Sequence, residues 1–296
     1  MSGVVDEKLD NLKSLIRSFE SCAVAYSGGV DSVFLAIVAR EVLGDRAVAV
    51  IADSPSLPRR ELAEARSIAQ TFHFRLHEIQ TQEFEKADYV ANPANRCYFC
   101  KAELFQQLVP FAKAEGLGVI AYGENASDVG DYRPGREAAD EFHVRAPLRE
   151  VGLTKDEIRQ LSRQMGIPTA DKPAMPCLSS RIPYGEVVSP EKLAMIEAGE
   201  SLIRDLGFSD VRVRLHELKD GFLARIELPE SDLVGFPKRT DFGHLVESFA
   251  KIGIRHTTLD LKGYRRGSLN EGLQANQERL TSGLKAIATG TETIRS

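Results

Sequence analysis

From Asp6 to Glu20, apolar residues Leu9, Leu12, Ile16 and Phe19 recur at helical spacing and predict a helix with one buried face. A short apolar run follows at Cys22 to Tyr26. It leads into SGGVDS and then an apolar helix from Ser32 to Leu43, with Gly44 placed to end it. AVAVIA at Ala47 to Ala52 is continuously apolar, the pattern of a strand buried on both faces. An amphipathic helix is predicted over Arg60 to Phe72 and a strand over Arg75 to Ile79. A further helix over Tyr98 to Glu115 precedes GVIAYG at Gly118 to Gly123, the next buried strand. Strands alternating with helices of this length predict an α/β domain, a parallel sheet with helices on both faces. Thr154-Lys155-Asp156-Glu157 has the pattern of a capping box. It opens a helix carrying Ile158, Leu161 and Met165, stopped by Gly166 and Pro168.

From Asp171 the texture changes. DKPAMPCLSSRIPYGEVVSP, with four prolines, reads as an extended connector, and Ser189-Pro190 reads as a helix N-cap followed by a first-turn proline. Beyond it are predicted a helix (Glu191 to Leu206), two strands (Val211 to His216 and Phe222 to Leu228), a helix (Phe242 to Ile252) and a strand (His256 to Leu261). The expected organisation is a domain of residues 1–185 and a smaller C-terminal α+β domain of residues 186–296, with the boundary near Pro183 to Ser189.

Apolar residues make up 43% of the 296 residues and charged residues 27%, the balance of an ordinary globular protein with a substantial core. No apolar run approaches the length of a membrane-spanning helix, and no membrane partner is expected. MSGVVDEKLDNL lacks the basic start and apolar centre of a signal peptide, so the expected location is cytoplasmic. The net charge of -5 argues against a broad nucleic-acid surface. Four cysteines in a chain of this kind suggest metal binding or catalysis before disulfides.

Ser27, Gly28, Gly29, Asp31 and Ser32 of SGGVDS lie between a buried strand and a helix start. Glycines there let backbone N–H groups approach a phosphate, and the helix dipole favours the anion. Asp31 is a candidate ligand for Mg²⁺ beside those phosphates. The plainer alternative is a Gly-Gly turn feeding a helix cap. The loop is not GxxxxGK[ST], since no lysine follows the glycines. Asp53, and Gly123 and Asp128 of GENASD, fall at strand ends where ligands gather in open α/β sheets, although either acid would also suit a helix cap.

Cys97 and Cys100 form a CxxC at a loop-to-helix junction, and Cys177 lies far along in PCLSSR. Together they suit a three-thiolate site with one open metal position; a zinc site lacking one ligand, a redox pair and unconnected cysteines remain alternatives. Cys22, inside an apolar strand, reads as an ordinary buried residue. Arg212, Arg214 and His216 alternate with Val211, Val213 and Leu215, which puts the basic groups on one strand face, either for anion binding or simply solvated.

SGGVDS resembles the phosphate loop of the PP-loop ATP pyrophosphatases, a group with a Rossmann-like parallel sheet. RCYFCK, GENASD, the long run RAPLREVGLTKDEIRQLSRQMGIPTADKPAMPCLSSRIPYGE and GYRRGSLN narrow the resemblance to the LarE family over nearly the whole chain. That resemblance implies an ATP- and Mg²⁺-dependent sulfur transferase of nickel-pincer nucleotide biosynthesis, serving lactate racemase. Its partner would be pyridinium-3,5-biscarboxylic acid mononucleotide, whose carboxylates are adenylated and converted to thiocarboxylates. The family implies two routes for the sulfur. In one, the cysteine at Cys177 is consumed and left as dehydroalanine. In the other, Cys97, Cys100 and Cys177 hold a [4Fe–4S] cluster, the route favoured here because all three are present. The resemblance further implies substrate contacts from Arg212 and Arg214 and an active-site acid at Glu200, which is otherwise an ordinary surface glutamate; Arg181 either steers the same anion or caps the connector, and Lys101 either binds phosphate or is solvated. A homo-oligomer is expected. A tRNA-thiolating enzyme, a NAD-synthetase-like amide ligase and a non-catalytic adenine-nucleotide module are the competing readings.

Overall fold

The computed structural model describes residues 2–128 and 134–265. Its first unit, residues 1–180 and 187–193, contains α1 (Ser2–Arg17), β1 (Cys22–Ala25), α2 (Val30–Leu43), β2 (Ala47–Asp53), α3 (Arg59–Thr71) and β3 (Arg75–Gln80). These are followed by α4 (Ala87–Val90), α5 (Arg96–Ala114), β4 (Val119–Tyr122), α6 (Pro134–Glu141), α7 (Pro147–Glu150) and α8 (Lys155–Gln164). The strands form one sheet in the order β3-β2-β1-β4, and each neighbouring pair is parallel, with Val24 opposite Ala49 on one side and Ala121 on the other.

Side chains alternate across the sheet, so each strand feeds two cores. On one face Val24 and Ile51 join Leu12 and Ile16 of α1, Phe34 and Leu35 of α2, Leu62 and Ile68 of α3, and Ile158 and Leu161 of α8. On the other, Ala23, Val48 and Val50 join Phe105 and Leu108 of α5 and Ala138 and Ala139 of α6. Burial on both faces explains why β1 and β2 read as continuous apolar runs.

The second unit comprises residues 181–186 and those from 194 on. The helix α9 (Pro190–Asp205) therefore begins in the first unit and continues in the second. The second unit adds β5 (Arg212–Leu218), β6 (Gly221–Glu227), α10 (Glu230–Leu233), α11 (Phe236–Arg239), α12 (Phe242–Lys251) and β7 (Ile254–Leu259). Strands β5 and β6 form an antiparallel pair, and β7 adds to β6 in parallel. Gly199 of α9 lets the helix approach this unit's core closely: a Cβ there would lie 3.0 Å from Phe249 and 3.4 Å from Val213. Of the GYRRGSLN run, residues 266–270 lie outside the described residues.

Candidate active site

The end of β1 is separated from α2 by Tyr26 to Gly29, and these residues are shaped by contacts that the sequence makes unavoidable. Gly28 has φ +71°, and a Cβ there would come 3.3 Å from Cβ of Ala65 on α3. Gly29 is the N-cap of α2 in extended geometry and contributes no side-chain bond to the helix start, where N–H groups and the dipole favour an anion. Ser32 braces the loop from within, because its hydroxyl donates to the Gly29 carbonyl at 3.1 Å and accepts the Ser27 N–H at 3.1 Å. The Ser27 and Ser32 hydroxyls are also 3.1 Å apart. Gly123, just past β4, touches the same helix start: a Cβ there would lie 2.8 Å from the Ser32 nitrogen.

A cavity of about 320 Å³ opens over this loop, within the range of small-molecule sites. Ser27, Gly29, Asp31, Lys155, Lys172 and Cys177 all line it. Asp31 Oδ2 accepts from Lys155 Nζ at 2.7 Å, whereas Oδ1 is buried without a hydrogen-bond partner. Burial pushes the Asp31 carboxyl above its ordinary value and nearby Asp128 pushes the same way, against the pull of Lys155 and Asn125. An orphaned carboxylate oxygen beside a phosphate loop fits a hard divalent cation, which would relieve both effects. Lys155 reaches Asp31 from the first position of α8, where Thr154 and Glu157 form the capping box foreseen in the sequence. Lys172 Nζ lies 2.7 Å from Glu61 and 2.9 Å from Glu64 of α3, and 3.4 Å from the Gly28 carbonyl oxygen.

Helix α5 starts earlier than its pattern predicted, at Arg96, so Cys97 lies in its first turn and Cys100 at the start of the next. Cys97 is exposed, while Cys100 and Cys177 are half-buried. Desolvation raises the Cys97 and Cys100 thiol pKa values above the ordinary value, and the neighbouring Cys177 raises both further. Among the described residues, however, no group of three or more His, Cys, Asp or Glu side chains is gathered as a metal-binding set. The expected three-cysteine set is not drawn together as ligands, and like thiolates have no mutual attraction to do so. Cys177 is held on its segment by Leu178 N–H donating to the Ser56 carbonyl at 2.9 Å, and by a 2.7 Å hydrogen bond between the Ser179 and Tyr89 hydroxyls. Cys22 is buried in β1 with its thiol pushed up to about 12, in keeping with an ordinary core residue.

The remaining candidates have other partners. Asp53 ends β2 bonded to Arg59 and, at 3.0 Å, to the Gln80 amide. Asp128 is buried and accepts the Asn125 N–H at 3.3 Å. Lys101 places its ammonium 4.6 Å from the centre of the Tyr122 ring. Within the second unit, the fully buried Arg181 donates to Glu200 at 2.8 Å, and Arg204 to the same carboxylate at 2.6 Å. Arg212 bonds Asp210 at 2.9 Å and stacks 4.8 Å from the Tyr264 ring. Arg214 pairs with Glu227 at 2.9 Å. Arg212 and Arg214 are therefore buried and ion-paired, not on the solvated face that the alternation alone left open, while His216 beside them is half-buried. Glu227, opposite Arg212 in the register, also offsets the direct juxtaposition of Arg214 with Arg225. Sequence reasoning missed Lys155, Lys172 and Glu61 in the cavity. Lys155 was visible only as a capping-box residue, Lys172 only as part of the long family-like run with no role attached, and Glu61 carried no signal.

A four-stranded parallel sheet with a Ser-Gly-Gly loop between β1 and α2, followed by a smaller α+β domain, defines a Rossmann-like α/β protein of the PP-loop ATP pyrophosphatase type. Residues 4–96 match the NAD synthase family. Pyridinium-3,5-bisthiocarboxylic acid mononucleotide synthase of Lactiplantibacillus plantarum is 32% identical over 272 residues, covering 91% of this chain and 96% of that protein. The uncharacterized protein slr1717 of Synechocystis is 45% identical over 270 residues, 91% of this chain and 99% of that protein. A subunit of the glutamine-hydrolyzing GMP synthase of Pyrococcus furiosus is 26% identical over 217 residues, 68% of each chain. The chain belongs to the LarE family of ATP-using synthases, for which ATP and Mg²⁺ are the expected cofactors. No helix among the described residues is long and apolar enough to cross a membrane.

Proposed function

We propose that the chain adenylates the carboxylates of pyridinium-3,5-biscarboxylic acid mononucleotide and converts them to thiocarboxylates, as a sulfur transferase of nickel-pincer nucleotide biosynthesis. The observation that carries this reading is that Cys177 lines the same cavity as Ser27, Gly29 and Asp31. A carboxylate oxygen attacks the α-phosphorus of ATP, and pyrophosphate departs into the N–H groups at the start of α2. Asp31 would hold Mg²⁺, which would supply charge neutralisation there, and the Lys155 ammonium, bonded to Asp31, is placed to share that task. Sulfur then attacks the acyl carbon and AMP leaves. Lys101, Arg181, Arg212 and Arg214 are assigned to the substrate's phosphate and carboxylates, and Glu200 to the same substrate-binding set as its acid. The arginines enter that role from existing ion pairs, so a bound phosphate would compete with Glu200, Asp210 and Glu227 for them.

Two routes for the sulfur each rest on an observation. The [4Fe–4S] cluster route rests on the presence of all three cysteines, two of them in the CxxC at the start of α5, although they are not gathered as a metal-binding set among the described residues. Held by those thiolates, such a cluster would supply the sulfide for transfer. That Cys177 alone of the three lines the cavity supports the second route. There the Cys177 thiolate forms a thioester. Loss of the Cα proton and cleavage of Cβ–S then leave dehydroalanine, and the sulfur stays on the product.

The test is iron and acid-labile sulfide in anaerobically purified protein, comparing wild type with Cys97→Ala and Cys177→Ala. The cluster route expects stoichiometric iron and sulfide, lost in both variants. Iron absent even after reconstitution, with Cys177 losing the mass of H₂S on turnover, selects the sacrificial route. Pyrophosphate release from ATP that does not respond to the mononucleotide would overturn the reading as a whole.

A further inference from the structure

Lys172 stands five residues before Cys177 in the connector, and no family motif or competing reading gave it a role. Its ammonium is largely buried, at 11% side-chain exposure, and lies 2.7 Å from the buried Glu61 carboxylate and 2.9 Å from Glu64. The same ammonium donates to the Gly28 carbonyl oxygen of the phosphate loop at 3.4 Å. Its own backbone is fixed as well: the N–H donates to the Thr169 carbonyl at 3.0 Å, and the carbonyl accepts from Arg159 at 3.0 Å. A second attachment follows just after Cys177, where Leu178 donates to Ser56 and Ser179 bonds Tyr89. The segment from Pro173 to Cys177 therefore runs between two fixed points, one of which is the phosphate loop and the helix packed against it.

We propose that Lys172 is a positioning residue for sulfur transfer, tying the Cys177-bearing segment to α3 and the phosphate loop so that the thiol is held over the adenylation site. A long ammonium side chain with two carboxylates and a loop carbonyl as partners suits this task. It joins three stretches of chain at one point, and its burial shields the pairs from screening by salt. The inference rests on the role given to Cys177 above, but the principal measurement does not.

That measurement is amide hydrogen exchange, read by mass spectrometry on peptides covering residues 173–180, in wild type, Lys172→Met and Lys172→Arg. Expected is exchange at least several-fold faster in Lys172→Met, confined to this segment, with Lys172→Arg returning most of the protection. Removing the ammonium also strands Glu61 as a buried charge, so Glu61→Gln/Lys172→Met is the control, and its exchange should stay fast. Wild-type exchange in Lys172→Met overturns the proposal. So does recovery in the double variant, which would trace the effect to charge imbalance. The second readout is thiocarboxylate formed per pyrophosphate released, expected to fall at least several-fold in Lys172→Met and to be rescued by arginine. A ratio equal to wild type overturns the positioning role. If wild type itself makes no thiocarboxylate, the reaction reading fails while the exchange result still decides the attachment.

Discussion

Gly123 and Gly28 show how little room the phosphate loop leaves for a side chain. A Cβ at Gly123 would stand 2.8 Å from Ser32 N and 3.0 Å from Asp31 C, backbone atoms that cannot swing aside. Gly123→Ala should therefore displace the start of α2, costing roughly 1–3 kcal/mol of stability as overpacking does. Because the displaced N–H groups are the proposed pyrophosphate donors, ATP turnover should fall on the order of tenfold or more even in folded protein. Thermal melts alongside pyrophosphate release check both, and full turnover would show that the loop tolerates the shift. At this scale the hexapeptide was informative because strand, glycines and helix start are contiguous in the chain. Lys172 was not, because its meaning depends on Glu64, 108 residues away. Arg214 lay between these cases: alternation put it on a face, but only the register with β6 brings Glu227 to it.

Among the elements, α8 couples a local signal to the site. Glu157 accepts the Thr154 N–H at 2.8 Å and binds Lys8 at 2.7 Å, while the Thr154 hydroxyl caps the Glu157 N–H at 3.4 Å. The capping box was legible because it is written in four consecutive residues. That it aims Lys155 at Asp31 was not, since the partner lies 124 residues earlier. Thr154→Ala should cost about 1 kcal/mol of stability, the usual cost of losing a cap. It should also raise the KM for ATP more than it lowers kcat, through the loosened Lys155. Unchanged KM with the expected stability loss would confine the cap to a structural role. The β1 to β4 strands were legible from apolar runs, whereas their order in the sheet was not, nor was the parallel addition of β7 to β6. Both are long-range choices that leave the local pattern unaltered.

For the molecule as a whole, the distribution of buried charge predicts how stability responds to pH. Burial pushes the His216 imidazole below its ordinary pKa of 6.5, and Arg225 and then Arg214 push the same way. A depressed folded-state pKa means that folding favours the neutral ring. Its contribution is present above about pH 6.5 and lost as pH falls from there through the folded-state value, because the unfolded chain takes up the proton first. Glu200 loses its contribution later. Burial alone would raise its carboxyl, but Arg181 and then Arg204 hold it below the usual carboxylate range. It weakens folding only as pH falls below about 4.3, the unfolded value. Calorimetric melts of wild type should therefore decline between pH 7 and pH 5, before the Glu200 step. His216→Leu removes both the titrating ring and a buried Nε2 without a hydrogen-bond partner. Its profile should run flatter through that window and parallel to wild type above it, the gap widening by at most about 1.4 kcal/mol per pH unit. Profiles that stay parallel down to pH 5 would mean that His216 titrates alike folded and unfolded. The early acid loss would then belong to another group.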